Sequence, residues 1–166
     1  MRKAFLNRAA LFVAATIFAA PCYAQSDADE ARIEEVVTAG HILTNEGILD
    51  SFGHVSARSA KNPGRFFIPR AMPPALVSRV DIVEVGLDCK PVAANAPRLN
   101  GERHIHCQVY KARGDVQSVI HTHDPAVIPF GLAGIALRPV VAQVGFLPPE
   151  TPLFEIREAN AWSVNA

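Results

Sequence analysis

The chain has 166 residues, with 16 basic and 16 acidic side chains and a formal net charge of zero. That balance offers no basic field to gather nucleic acid or an anionic membrane surface, which sets both partner classes aside. Without the N-terminal segment described next, about 140 residues remain, enough for one domain with its own core.

Met1-Arg2-Lys3 with Arg8 forms a basic start, and Ala9 to Ala20 is an apolar run too short to span a bilayer. Cys22-Tyr23-Ala24 places small residues at the two positions that define signal cleavage. Residues 1–24 are therefore expected to be a secretory signal cut after Ala24, leaving 25–166 as a periplasmic or secreted domain. Ala19-Ala20-Pro21 is not a lipobox and Arg2-Lys3 is not a twin-arginine signal. No other stretch reaches the ~18 apolar residues of a membrane helix. Cys22 leaves with the signal, so Cys89 and Cys107 remain. In an oxidising compartment they could pair, or both could sit buried and unpaired as small apolar residues; sequence leaves the two readings open.

Ser26-Asp27-Ala28-Asp29 is a capping start for a helix from Ala28 to Thr44, with Ile33, Val36, Val37, Gly40 and Leu43 as its apolar stripe. Strands are predicted at His54–Arg58 and Arg65–Ile68, on either side of the turn sequence Lys61-Asn62-Pro63-Gly64. A third covers Ile82–Leu87 and turns at Asp88-Cys89-Lys90, and Pro91 to Pro97 reads as loop. Asn100 is a suitable N-cap for a second helix, in which Ile105, Val109 and Ala112 fall at helical spacing and Gly114-Asp115 ends the run. Glu102 then falls in the first turn, an ordinary place for a carboxylate because the helix dipole favours it there. A fourth strand runs from Asp115 to Ile120, and beyond Asp124 six prolines break the chain into short pieces. There is no internal repeat and no low-complexity tract. Short strands mixed with helices predict one α/β/α sandwich.

The fourth strand closes on His121-Thr122-His123. On a strand, residues i and i+2 share a face about 6.5 Å apart, so two imidazoles there can converge on one metal ion. Two hydrogen-bonded histidines without a metal is the plainer reading of the pair alone. His104 and His106 diverge by about 200° around a helix and cannot share a metal. His41, in the first helix, reads as a surface or packed residue.

Glu102 stands nineteen residues before His121. The order glutamate, helix, tight turn, strand, His-x-His resembles the core of the class II aldolase/adducin family. Asp50-Ser51-Phe52-Gly53-His54-Val55-Ser56-Ala57-Arg58 resembles the family's Gly-Asn-x-Ser-x-Arg segment. Phe66-Phe67-Ile68-Pro69-Arg70 stands where a Thr-Pro-[Ser/Thr]-Gly turn is usual, and Val80-Asp81-Ile82-Val83 resembles an aspartate-led strand. The likeness runs from about Glu34 to about Arg157. It implies a largely antiparallel central sheet, zinc or another divalent metal on His121 and His123, Glu102 as acid/base, and a homotetramer. It also implies a carbon–carbon lyase, releasing an aldehyde or carbon dioxide from a small hydroxy or oxo acid.

Three departures bear on substrate. Gly53-His54, Pro69-Arg70-Ala71 and Asn100-Gly101 replace groups that bind phosphate in the family's sugar-phosphate enzymes. The resemblance is thus closer to the decarboxylase branch. Arg70 could grip a planar carboxylate in two-pronged fashion. His54, in the place of an active-site asparagine, is expected to touch substrate together with Asn100 and Gly101. The family's third zinc histidine, in an Arg-Gly-His-Gly-like segment, has no counterpart before Ala166, so a sandwich incomplete at its C-terminus is expected. The alternative function is a truncated, non-catalytic binding module of the adducin type.

Overall fold

The computed structural model describes residues 27–152. The expected signal segment, residues 1–24, lies outside the described residues. Asp27 opens helix α1 (Ala28–Asn45) by accepting the Asp29 amide at 3.0 Å. Of the expected stripe, Val36 and Gly40 are buried, and Ile33 packs against the same cluster as Val36.

Strands β1 (His54–Arg58), β2 (Arg65–Pro69), β3 (Ile82–Gly86) and β4 (Ser118–His121) form an antiparallel sheet in the order β3-β2-β1-β4. The alternation of the strands sorts the core into two layers. Phe66, Ile68, Val83 and Val85 face Cys107 and Tyr110 of helix α2 (Arg103–Ala112). Ala57 and Phe67 face Val36 of α1. The sheet thus lies between helices on both faces, the α/β/α arrangement that the sequence predicts. Among the described residues, no helix is long and apolar enough to cross a membrane.

Helix α2 departs from its sequence reading at three points. Its buried face is His106, Cys107 and Tyr110, not Ile105, Val109 and Ala112. The reason is its partner: β1 turns His54, Ser56 and Arg58 toward it beside the apolar side chains of β2 and β3, so polar residues share this interface and apolar periodicity marks the wrong face. Its start is also later. Asn100 Oδ1 accepts the Glu102 amide at 3.0 Å, which makes a turn, and Glu102 itself is the N-cap residue. At the other end Arg113 is extended (φ −130°, ψ 90°), so the helix closes before Gly114. The fourth strand covers only Ser118–His121, because the Val116 amide closes a turn on the Arg113 carbonyl at 3.2 Å and its own carbonyl accepts from Arg58 Nε at 2.9 Å. Pro129, expected to break the chain, lies in the first turn of a short helix, α3 (Ile128–Ala133), where a missing amide costs nothing.

Arg58 fastens α2 to β1. It is 3% exposed, and its guanidinium donates to the carbonyls of Val116, Pro63, Tyr110 and Arg113 at 2.6–3.0 Å. Its charge therefore meets the negative end of α2. Cys89 and Cys107 are both buried in the core and are paired, with Cα atoms 5.7 Å apart.

Candidate metal centre and substrate cleft

The β1–β4 register sets His54 directly opposite His121. Gly53, just before β1, makes that approach possible: a Cβ there would lie 3.1 Å from the His121 carbonyl oxygen and 2.6 Å from Leu49 Cδ2. His123 leaves the strand end and turns back, so that its Nε2 lies 3.1 Å from His121 Nε2. The Glu102 carboxylate comes in from the start of α2. Its Oε1 is 3.4 Å from His121 Nε2 and 3.9 Å from His123 Nε2, while its Oε2 is 3.5 Å from His54 Nε2.

Glu102, His121 and His123 thus converge three ligand atoms within 4.8 Å of one another. Two nitrogens bound at 2.0–2.1 Å to one tetrahedral ion are separated by about 3.3–3.4 Å. The observed edges of 3.1, 3.4 and 3.9 Å have the size, and two imidazoles with a carboxylate the donor chemistry, to hold one divalent cation. Burial lowers the His121 pKa, with Glu102 acting in the opposite sense, and a neutral imidazole is what a metal needs. His123 is oriented from behind by Asp50, whose oxygens lie 3.1 and 3.3 Å from Nδ1. Asp50 also accepts the amides of Phe52 (2.9 Å) and Gly53 (2.8 Å). The Phe52 amide leads the causes that lower its pKa, against a smaller opposing effect of burial.

Beside this cluster opens a cleft of about 440 Å³, walled by Phe52, Met72, Arg98, Asn100 and Gly101 among others. Phe52 stands between the two sites, its ring centroid 6.5 Å from that of His123.

The sequence profile described as Class II Aldolase and Adducin N-terminal domain matches residues 34–159. The chain belongs to the class II aldolase and adducin family. It is 36% identical over 126 residues to the decarboxylase tropJ of Talaromyces stipitatus, covering 75% of this chain and 47% of that protein. It is 31% identical over 118 residues to a 3,4-dihydroxyphthalate decarboxylase of Arthrobacter keyseri, covering 65% of this chain and 46% of that one. The L-fuculose 1-phosphate aldolase of Glaciozyma antarctica superposes with a TM-score of 0.59 at 23% identity, over 67% of this chain and 48% of the aldolase, which shows a shared fold. The chain spans about half the length of the curated relatives it matches. Within the class II aldolase family it stands with the decarboxylase-like branch, as its departures from the sugar-phosphate motifs imply.

The family motifs meet in space unequally. Glu102, His121 and His123 come together, and His54 adjoins them, stacked on His121 with centroids 5.1 Å apart. Asn100 and Gly101 line the cleft. Arg70 does not line it. Its Nε is held by Asp81 at 2.7 Å, and Asp81 is pulled down to about 2, first by the Ser78 hydroxyl and then by Arg70. Arg98 supplies the guanidinium on the cleft wall instead.

Sequence reasoning passed over Asp50, Arg98 and the trio Ser56, His106 and Tyr110. A signal for the trio existed. His54, Ser56 and Arg58 alternate on one strand face, and His106 and Tyr110 are four apart on one helix face. Only a polar interface makes use of both.

Proposed function

We propose that this domain belongs to a metal-dependent carbon–carbon lyase that decarboxylates a small carboxylate-bearing acid. The observation that carries the reading is the position of Glu102 Oε1, 3.4 and 3.9 Å from the two facing imidazole nitrogens. His121, His123 and Glu102 would hold the metal, zinc by the choice of two imidazoles and a carboxylate. A divalent cation there supplies Lewis-acid polarisation of a substrate oxygen. The side chains do the rest: Glu102 moves the proton at its carboxylate oxygen, and Asn100, Gly101 and Phe52 line the cleft beside it. Arg98 is suited to pair a second substrate carboxylate, in the role that Arg70 cannot fill while bound to Asp81.

Similarity to two decarboxylases supports release of carbon dioxide over aldol cleavage. The basic start, apolar run and Cys22-Tyr23-Ala24 site support export with a mature terminus at Gln25. Terminal mass analysis of periplasmic protein decides this last point, and an intact Met1 on cytosolic protein would contradict it.

The activity test offers the zinc-loaded protein 3,4-dihydroxyphthalate and L-fuculose 1-phosphate in parallel. Carbon dioxide from the first, lost in Glu102→Gln and weakened in KM by Arg98→Ala but not by Arg70→Ala, is the expected result. Cleavage of the phosphosugar alone would reverse the substrate assignment.

A further inference from the structure

Behind Glu102 a line of polar groups enters the core. His54 Nδ1 lies 2.7 Å from His106 Nε2, His106 Nδ1 lies 2.7 Å from Ser56 Oγ, and Ser56 Oγ lies 2.8 Å from the Tyr110 hydroxyl. All four residues are buried, His106 and Ser56 with no exposure at all. At the open end, His54 Nε2 is buried without a hydrogen-bond partner of good geometry, and it faces Glu102 Oε2 at 3.5 Å. A buried imidazole nitrogen aimed at a carboxylate from within a fully engaged chain is costly unless it serves that carboxylate.

The polarity of the line follows from its ends. A carboxylate only accepts, so the favourable state puts the proton of His54 on Nε2. A neutral His54 then accepts at Nδ1, which requires the proton of His106 on its Nε2. His106 accepts at Nδ1 from the Ser56 hydroxyl, and Ser56 accepts from the Tyr110 hydroxyl. Every link has one donor and one acceptor. The opposite polarity would point a bare nitrogen lone pair at Glu102. Burial holds His106 down to about 3, so it is neutral, as the alternation demands.

We propose that Tyr110, Ser56 and His106 form a buried hydrogen-bond chain that fixes His54 as an Nε2–H donor directed at Glu102, which makes His54 a positioning residue for that carboxylate. The consequence for catalysis rests on the reading of Glu102 as the proton carrier; the tautomer assignment does not. With Oε2 held by His54, Oε1 is kept toward His121 and His123. The chain has no exit to solvent, because Tyr110 is 1% exposed, so it orients and does not conduct protons away.

Long-range 15N correlation spectra of the full-length protein at neutral pH test the chain directly. His54 and His106 are expected as neutral imidazoles protonated at Nε2, and added zinc should leave both His54 nitrogens unligated. An Nδ1–H or doubly protonated His54, or a His54 nitrogen bound by zinc, overturns the proposal. Ser56→Ala and the milder Tyr110→Phe should each admit the other tautomer of His106 and His54. In an active zinc-loaded preparation, Ser56→Ala should lower kcat by roughly tenfold, since a displaced catalytic group loses its alignment. KM should stay within twofold, and zinc affinity should fall no further than in Glu102→Gln, because His121 and His123 stay in place. Unchanged tautomers of His106 and His54 in Ser56→Ala would also overturn it. Absence of any lyase activity would count against the proposed function, while the spectra would still decide the chain.

Discussion

Removing the Asp50 carboxylate should weaken the metal centre without touching a ligand. A carboxylate only accepts, so the Asp50 oxygens, 3.1 and 3.3 Å from His123 Nδ1, place the ring proton there and leave Nε2, 3.1 Å from His121 Nε2, as the ligating nitrogen. Such carboxylate–histidine pairs fix the ring and make the ligating nitrogen more basic, and their loss typically costs about 10–100-fold in metal affinity. That corresponds to about 1.4–2.7 kcal/mol. Asp50→Ala should fall in this range, toward its upper end, because the same carboxylate holds the Phe52 and Gly53 amides at 2.9 and 2.8 Å and so shapes the approach to β1. Asp50→Asn keeps an oxygen acceptor without the charge and should lose about tenfold or less. Competition for zinc against a chromophoric chelator measures both variants beside the wild type, with a thermal melt to confirm folding. A folded Asp50→Ala that binds zinc within twofold of the wild type would refute the orienting role.

Other perturbations separate fold from site. Arg58→Lys has three donors for four carbonyls, so it leaves at least one unmet and should cost about 1–3 kcal/mol in urea unfolding, clearly more than Arg113→Ala on the surface; equal effects would contradict the clamp. Gly53→Ala drives a Cβ against the His121 carbonyl and should reduce both the melting temperature and zinc affinity, whereas a wild-type melt would show that the strands approach less closely. Acid should destabilise the metal-free protein. An unfolded histidine takes up its proton near 6.5, whereas burial holds His106 to about 3 and, with the His121 charge as a second cause, His54 to about 4. The unfolded chain therefore binds more protons below 6.5, so this stability is complete above that pH and is lost as pH falls toward the folded values, by about 2–4 kcal/mol between pH 7 and pH 5. A flat urea midpoint across that range would mean that these histidines are not buried neutral.

How far the molecule was legible depended on where its chemistry is local. The strands carry their own pattern: in Arg65–Pro69 and Ile82–Gly86 apolar side chains and turn sequences bracket each run, and both lie within a residue of expectation. The His121/His123 pair was legible because i, i+2 spacing is a property of any strand, and Glu102 because its spacing matched the family's. Helix α2 was misread on its inner face, since Ile105 and Val109 obey the apolar rule while the true partners are His54, Ser56 and Arg58 on β1. Arg70 and Arg98 show the same limit in charge. Nothing local says that Asp81, eleven residues on, occupies Arg70, or that Arg98 reaches the cleft wall. Both facts belong to tertiary packing.

The central claim is that Glu102, His121 and His123 hold one divalent ion. Calorimetric titration of the metal-free protein with zinc, on the wild type and three variants, tests it most directly. One ion per chain should bind to the wild type. His121→Ala and His123→Ala should each lose most of that affinity, because a site with two imidazoles cannot spare one. Glu102→Gln, which keeps an oxygen in place, should retain measurable binding. Equal zinc binding by the wild type and both histidine variants would contradict the account and leave His121 and His123 as two hydrogen-bonded strand-end histidines.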